Sequence, residues 1–274
     1  MTAPLVIHHA GCADGFGAAW CFHHAYGGHV NFVAARHGDL PPAVAGREVF
    51  LVDFAYRRGV VVAMLEQAQS VTLIDHHVDA IADLAGVAGL HRVVDVEHSG
   101  AVLAWRHLFG ARPPPGLLLH IEDRDLWRFQ LPSTREIVAS LGCHPFEFQR
   151  WDDLVAGGDA RLVAMAAEGS AIERRRQVDL ERLIAAARRP MCIGGVVVPV
   201  VNAPPAWTSE AAQLLAAGEP FAAAYWDAAD GRCFGLRSAP HGVDVSQVAH
   251  AYGGGGHPHA AGFKVSRDHP LARD

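Results

Sequence analysis

Along the first half of the chain, short apolar runs alternate with helix-like segments, and this alternation restricts the fold more than any other feature. Leu5-Val6-Ile7, Val30 to Ala34, Val49 to Val52, Val71 to Ile74 and His91 to Val96 read as strands. Between them, Ala18 to Tyr26 and Gly59 to Gln69 read as helices, and Ser99 suits the N-cap of a helix over Ala101 to Phe109. Strands separated by helices in this way predict a mostly parallel sheet covered on both faces.

The second half has a different organisation. Arg112-Pro113-Pro114-Pro115 punctuates the chain, and a mainly helical stretch follows it. A long helix is expected over Asp159 to Arg189, with an interruption near Gly169 left open, Glu173-Arg174-Arg175-Arg176 on a solvated face and Pro190 as its stop. Beyond it come strands at Val196 to Val201, Phe221 to Tyr225 and Cys233 to Leu236, then a helix at Val245 to Tyr252. A glycine run, Gly253 to Gly256, precedes a last strand at Ala261 to Val265. A chain of 274 residues accommodates two domains. The expected class is α/β: a larger domain over 1–170, a helical linker over 171–190, a smaller domain over 191–274, and a cleft between the two.

Charge and cysteine usage narrow the function. The formal net charge of -6 gives no basic face of the kind that grips long duplex nucleic acid, so a small anionic partner is expected instead. The five cysteines form no CxxC pair and their number is odd, which argues against a disulfide framework or a structural zinc knuckle and for a reducing compartment. Met1 to Ala10 has no basic region followed by a long apolar stretch, and no apolar run approaches a membrane span. The cytoplasm is the expected location, and no membrane partner is expected.

Three of the expected strands run into acids or imidazoles. The first leads to His8-His9 and then Cys12-Ala13-Asp14-Gly15; the strand at 49–52 ends at Asp53; the strand at 71–74 ends at Asp75-His76-His77. In a parallel sheet all carboxyl ends lie on one edge, and ligands bind outside that edge. A fourth acidic element, Glu122-Asp123-Arg124-Asp125, follows the apolar run Leu117 to Ile121. Taken singly, His8-His9 reads as an ordinary strand end, Asp53 as a turn residue or helix cap, and Asp123 and Asp125 as partners for Arg124 or Arg128. Together these readings need four coincidences. Carboxylates gathered at one point repel one another, and a divalent cation removes that penalty. Asp with His and few thiols suits Mn²⁺, Fe²⁺ or Zn²⁺ better than Mg²⁺.

In these residues the chain resembles the DHH phosphoesterase superfamily: Asp75-His76-His77 with Asp14-Gly15, Asp53 and Asp123. The tail Gly253-Gly254-Gly255-Gly256-His257-Pro258-His259-Ala260-Ala261-Gly262-Phe263 is similar to the signature of its C-terminal DHHA1 domain. The resemblance covers nearly the whole length, with the helical middle least informative. Members include hydrolases of short oligoribonucleotides and dinucleotides, phosphatases of 3′-phosphoadenosine phosphate, a single-strand exonuclease and inorganic pyrophosphatases with another C-terminal domain. The resemblance implies one or two divalent ions, Mn²⁺ foremost, held by His9, Asp14, Asp53, His76 and Asp123, with Asp53 as the bridge. It places His77 by the substrate phosphate, Asp75 and Asp125 in supporting positions, and Gly254, Gly255, Gly256, His257 and Arg237 on the substrate.

The first motif departs from the superfamily pattern of His, three residues, Asp, one residue, Asp. Counting back from Asp14, His8 falls on the His position and Cys12 on the first Asp position. A variant spacing selects His9 instead, which we prefer, with His8 kept open. Cys12 is either a thiolate ligand or a small packing residue. The expected activity is metal-dependent hydrolysis of a dinucleotide, short oligonucleotide or small phosphomonoester. The alternatives are a nucleotide-binding protein with a decayed metal site and a hydrolase of inorganic polyphosphate, and a homodimer stays open. Trp127 or Trp207 could stack a base.

Overall fold

A computed structural model describes residues 3–273, so the outermost residues of the two expected domains, 1, 2 and 274, lie outside it. The chain forms two compact units, residues 1–173 and 174–274.

The first unit runs β1 (Leu5–His9), α1 (Ala13–Tyr26), β2 (Asn31–Ala35), β3 (Glu48–Val52), α2 (Arg58–Leu65), β4 (Ser70–Asp75), α3 (Val78–Asp83), β5 (Leu90–Val94), α4 (Gly100–Phe109), α5 (Gly116–Asp125), α6 (Thr134–Leu141) and α7 (Phe148–Ala156). The long α8 (Gly158–Ala187) then runs unbroken past the boundary at 173. The five strands form one parallel sheet in the order β2-β1-β3-β4-β5.

Alternation along each strand divides the apolar side chains between two faces. Val6, Val52 and Ile74 join α1, α4, α5 and α7 on one side through Trp20, Trp105, Leu118 and Trp151. Leu5, Ile7, Leu51 and Leu73 join Val61 and Met64 of α2 on the other. Each such side chain, when fully buried, contributes about 1.5–3 kcal/mol relative to exposure. The strands read as continuous apolar runs because both faces are covered. Ser99 caps α4 as expected, its side chain accepting from the Val102 amide. The acidic segment 122–125 lies on the last turn of α5, within the stretch expected to be mainly helical.

The second unit adds β6 (Arg189–Ile193), β7 (Val196–Asn202), α9 (Thr208–Leu215), β8 (Ala222–Ala228), β9 (Gly231–Arg237), α10 (Val245–His250), β10 (Gly255–His257), β11 (Ala260–Val265) and α11 (Pro270–Arg273). Its six-stranded sheet has the order β10-β11-β9-β8-β7-β6, antiparallel except between β7 and β8. Pro190, expected as a helix stop, lies in the edge strand β6, where a missing amide donor is tolerated. Among the described residues no helix is long and apolar enough to cross a membrane.

Candidate metal centre

The sheet order reverses at β1: β2 lies on one side of it and β3 on the other. That reversal opens a crevice at the carboxyl edge. His9 ends β1, Asp53 follows β3, and Asp75-His76-His77 closes β4, so three neighbouring strands deliver their polar ends to one place.

Asp53 is the centre of this arrangement. Its Oδ1 lies 3.2 Å from His76 Nε2, and its Oδ2 lies 3.7 Å from His9 Nδ1. The same His76 nitrogen is 3.7 Å from Asp14 Oδ2 and 3.4 Å from Asp125 Oδ2. Asp53 has φ +52°, a left-handed conformation that Asp tolerates better than most residues, and its amide donates to the Ile74 carbonyl at 2.9 Å. Gly100 makes room for it. A Cβ on Gly100 would lie 2.6 Å from the Asp53 Cβ and 3.0 Å from its Cγ. Gly15 does the same for His9, whose Cβ would be 2.7 Å away. The Gly100 requirement predicts that Gly100→Ala, which suits a helix, lowers divalent-metal affinity by at least about tenfold with helix content unchanged. Calorimetric titration checks this, and an unaltered affinity would mean that Asp53 is not positioned by this contact.

Asp14 stands in the first turn of α1, with Oδ2 accepting from the Gly100 amide (2.7 Å) and Oδ1 from the Ala101 amide (2.9 Å). Asp75 supports its two neighbours: its Oδ1 accepts from the amides of His76 (2.7 Å) and His77 (3.2 Å) and lies 2.7 Å from His77 Nδ1. His9 faces the cluster. His8, one residue earlier on the strand, packs edge-on against Phe16 and bonds to the His9 carbonyl at 3.1 Å. His9 also stacks with Phe54 and lies beside His37, a rim imidazole that no local motif singles out.

Asp123 does not enter the cluster; Asp125 does. Residues two apart on a helix diverge by about 200°, so α5 can direct only one of the pair inward. Asp123 turns to the following loop, accepting from the Gln130 amide (2.8 Å), the Leu131 amide (3.0 Å) and the Thr134 hydroxyl (2.6 Å). Glu122 has a third destination, accepting from the Ser99 amide at 2.9 Å.

The electrostatics follow from this crowding. Burial, together with the charges of Asp53 and Asp125, pushes the Asp14 carboxyl well above the usual carboxylate range. Burial and Asp53 push Asp125 up as well. Burial alone would also raise Asp53, but hydrogen bonds from His76 and His9 and the charge of His77 outweigh it and hold Asp53 far down. His77 is disfavoured as a cation by burial, yet its bond to Asp75 and the surrounding carboxylates push it up to about 10.

Two sets of donor atoms, each lying within 4.8 Å of one another, can be drawn around Asp53: His9, Cys12 and Asp53 form one, and Asp14, His76 and Asp125 the other. Asp53, Asp75, His76 and His77 form a third, overlapping set. Carboxylates that repel one another strongly enough to resist ionisation, interleaved with imidazoles, are the donor set that a divalent ion fits.

The substrate residues expected from sequence lie in the second unit. Arg237 ends β9 and donates to the Leu236 carbonyl (2.8 Å) and the Ser209 hydroxyl (2.7 Å). His257, Ala260 and Arg237 occupy one cross-strand row over β10, β11 and β9, so both long side chains belong to the same sheet face with a small residue between them. The glycines before His257 also have a packing role. A Cβ on Gly254 would collide with the Gly262 carbonyl, and one on Gly256 would meet the Ala260 carbonyl at 2.6 Å.

Comparison with known proteins gives the fold a name. No protein-family model matches the chain. It is 26% identical over 289 residues to uncharacterized protein R106 of Acanthamoeba polyphaga mimivirus, across 96% of this chain and 67% of that protein. Among solved structures it is similar to the DHH domain of a member of a family of ribosomal proteins, with a TM-score of 0.63, 13% identity, and coverage of 96% of this chain and 83% of that one. It is also similar to the pGpG-specific phosphodiesterase PggH of Vibrio cholerae (TM-score 0.51, 12% identity, 96% and 93% coverage). A third likeness is to an exopolyphosphatase-related protein of Bacteroides fragilis (TM-score 0.50, 10% identity, 99% and 89% coverage). The chain shares the fold of the DHH domain among these structures.

Proposed function

We propose that the protein is a divalent-metal-dependent phosphoesterase acting on a dinucleotide or short oligonucleotide. The observation that carries this reading is the approach of Asp14, Asp53 and Asp125 to the single nitrogen His76 Nε2 at the sheet edge. Such a cluster has little structural use and a high electrostatic cost. His9, Asp14, Asp53, His76 and Asp125 would hold the metal, which supplies the Lewis acidity that makes water a nucleophile at neutral pH.

The chain's own residues do the rest. Asp53 presents one oxygen to each side of the centre. Asp75 anchors the backbone turn and His77 by three contacts to one oxygen, which keeps His77 a cation beside the reacting phosphoryl group. A cation there offsets the charge that grows on phosphoryl oxygens as the bond to the leaving group breaks. We assign to Arg237, Gly254, Gly255, Gly256 and His257 the task of gripping the remainder of the substrate. The pGpG phosphodiesterase among the structural neighbours supports a nucleotide substrate, as does the acidic net charge, which disfavours long strands.

The test is a panel of pGpG, short RNA, 3′-phosphoadenosine phosphate and polyphosphate, each with Mn²⁺, Mg²⁺ or chelator. Hydrolysis of the short nucleotide esters is expected with Mn²⁺ and none with chelator. On the best substrate, Arg237→Ala should raise KM by about 10–100-fold, the equivalent of one charge-assisted hydrogen bond of about 1.5–3 kcal/mol, with a smaller effect on kcat. Cleavage of polyphosphate alone, or turnover in chelator, would overturn the assignment.

A further inference from the structure

The two donor sets around Asp53 differ in chemistry. One offers an imidazole, a thiol and a carboxylate from His9, Cys12 and Asp53; the other offers an imidazole and two carboxylates from His76, Asp14 and Asp125. The division follows the two oxygens of Asp53, since Oδ2 faces His9 and Oδ1 faces His76. Imidazole and thiolate together favour zinc and similar borderline ions, whereas carboxylate-rich sites suit manganese and magnesium.

Cys12 does not behave as a packing residue. It is half-buried and belongs to neither apolar core of the first unit. Cys21 shows what a packing cysteine looks like in this fold: fully buried, inside the core, with its thiol 3.6 Å from the Ala101 carbonyl. Cys12 also occupies the N-cap of α1, where Ser, Thr, Asp or Asn would serve the helix better than a weakly accepting thiol. Its position is set by something other than packing or capping, and its sulfur is grouped with a nitrogen of His9 and an oxygen of Asp53.

We infer that the centre consists of two unlike metal positions that share Asp53: one formed with His9 and Cys12 that selects a thiophilic ion such as Zn²⁺, and one formed with Asp14, His76 and Asp125 that takes Mn²⁺ or Mg²⁺. The inference rests on the metal-dependent reading above. On binding, the Cys12 thiol transfers its proton to solvent and its sulfur lone pair to the ion.

The experiment is optical. Full-length protein stripped with chelator is titrated with Co²⁺, with total binding followed by calorimetry and thiolate ligation by the sulfur-to-cobalt charge-transfer band in the near ultraviolet. The wild type should develop that band with one cobalt per chain, and Zn²⁺ should abolish it where Mn²⁺ does not. Cys12→Ser should lack the band and lose about 10–100-fold in Zn²⁺ affinity. Cys12→Asp, which keeps a ligand in place, should lack the band and bind a second Mn²⁺. Cobalt binding without the band, or a band that survives in Cys12→Ser, overturns the inference while leaving a metal centre standing. No cobalt or manganese binding by calorimetry would remove both.

Discussion

Replacing Asp53 by asparagine should abolish phosphoester hydrolysis, lowering kcat by at least about 10³-fold, while the protein keeps its fold. The magnitude is set against the loss of a single transition-state donor, which costs about 10²–10³-fold; Asp53 contributes to both halves of the centre and should cost no less. Asparagine is the informative replacement. It tolerates the positive φ that Asp53 adopts, and it has nearly the same shape against Gly100. The change therefore removes charge from between His9 and His76 without imposing backbone strain. Purified Asp53→Asn with a native circular dichroism spectrum and near-wild-type turnover would contradict the role given to this residue.

Metal should also govern stability, with a definite dependence on pH. At an ion concentration 1,000 times Kd, binding to the folded state alone adds about 4 kcal/mol, which for a unit of this size raises Tm by about 8–16 °C. Asp14 and Asp125 have folded-state pKa values above the unfolded value. Their protonation favours the metal-free fold most at pH values below the unfolded pKa, and this contribution is lost as pH rises through the raised folded values. His77 acts in the same direction: its contribution is complete below 6.5 and disappears as pH climbs toward 10. Asp53, held low, stabilises at neutral pH and loses that contribution only in strong acid. The metal-free protein should thus weaken as pH rises from 6.5 toward 10. Ligands that must shed protons bind metal more tightly over the same range. The Tm gap between loaded and stripped protein should widen across that interval. A constant or narrowing gap in scanning calorimetry would show that these carboxylates do not face the ion.

The strand ends were legible from the chain because a parallel sheet sorts all its carboxyl termini to one edge. His9, Asp53 and His76 could be brought together on paper for that reason alone. The resemblance assigns Asp123 to the metal and Asp125 to a supporting position, whereas in the fold it is Asp125 that approaches His76. The run before them is apolar without a strong period, and the choice between them depends on their being helical, since a helix turns one acid toward His76 and the other toward Thr134. Gly100 was invisible for another reason. After Ser99 it looks like an ordinary helix start, and its necessity comes from Asp53, far away in the sequence. The glycine run at 253–256 read as an anion loop. In the fold Gly254 and Gly256 lie against their own hairpin partner, a contact that no local pattern announces.

The hydrogen bonds that the Gly100 and Ala101 amides donate to Asp14 fasten the beginnings of two helices that are remote in sequence. Replacing Asp14 by an apolar residue strands both buried donors and forfeits about 1.5–3 kcal/mol for each. Cys12 carries no such duty. Mutational drift therefore meets unequal resistance at these two neighbours: ion preference can wander at position 12 in a protein that still folds, whereas loss of the acid at position 14 endangers the whole unit.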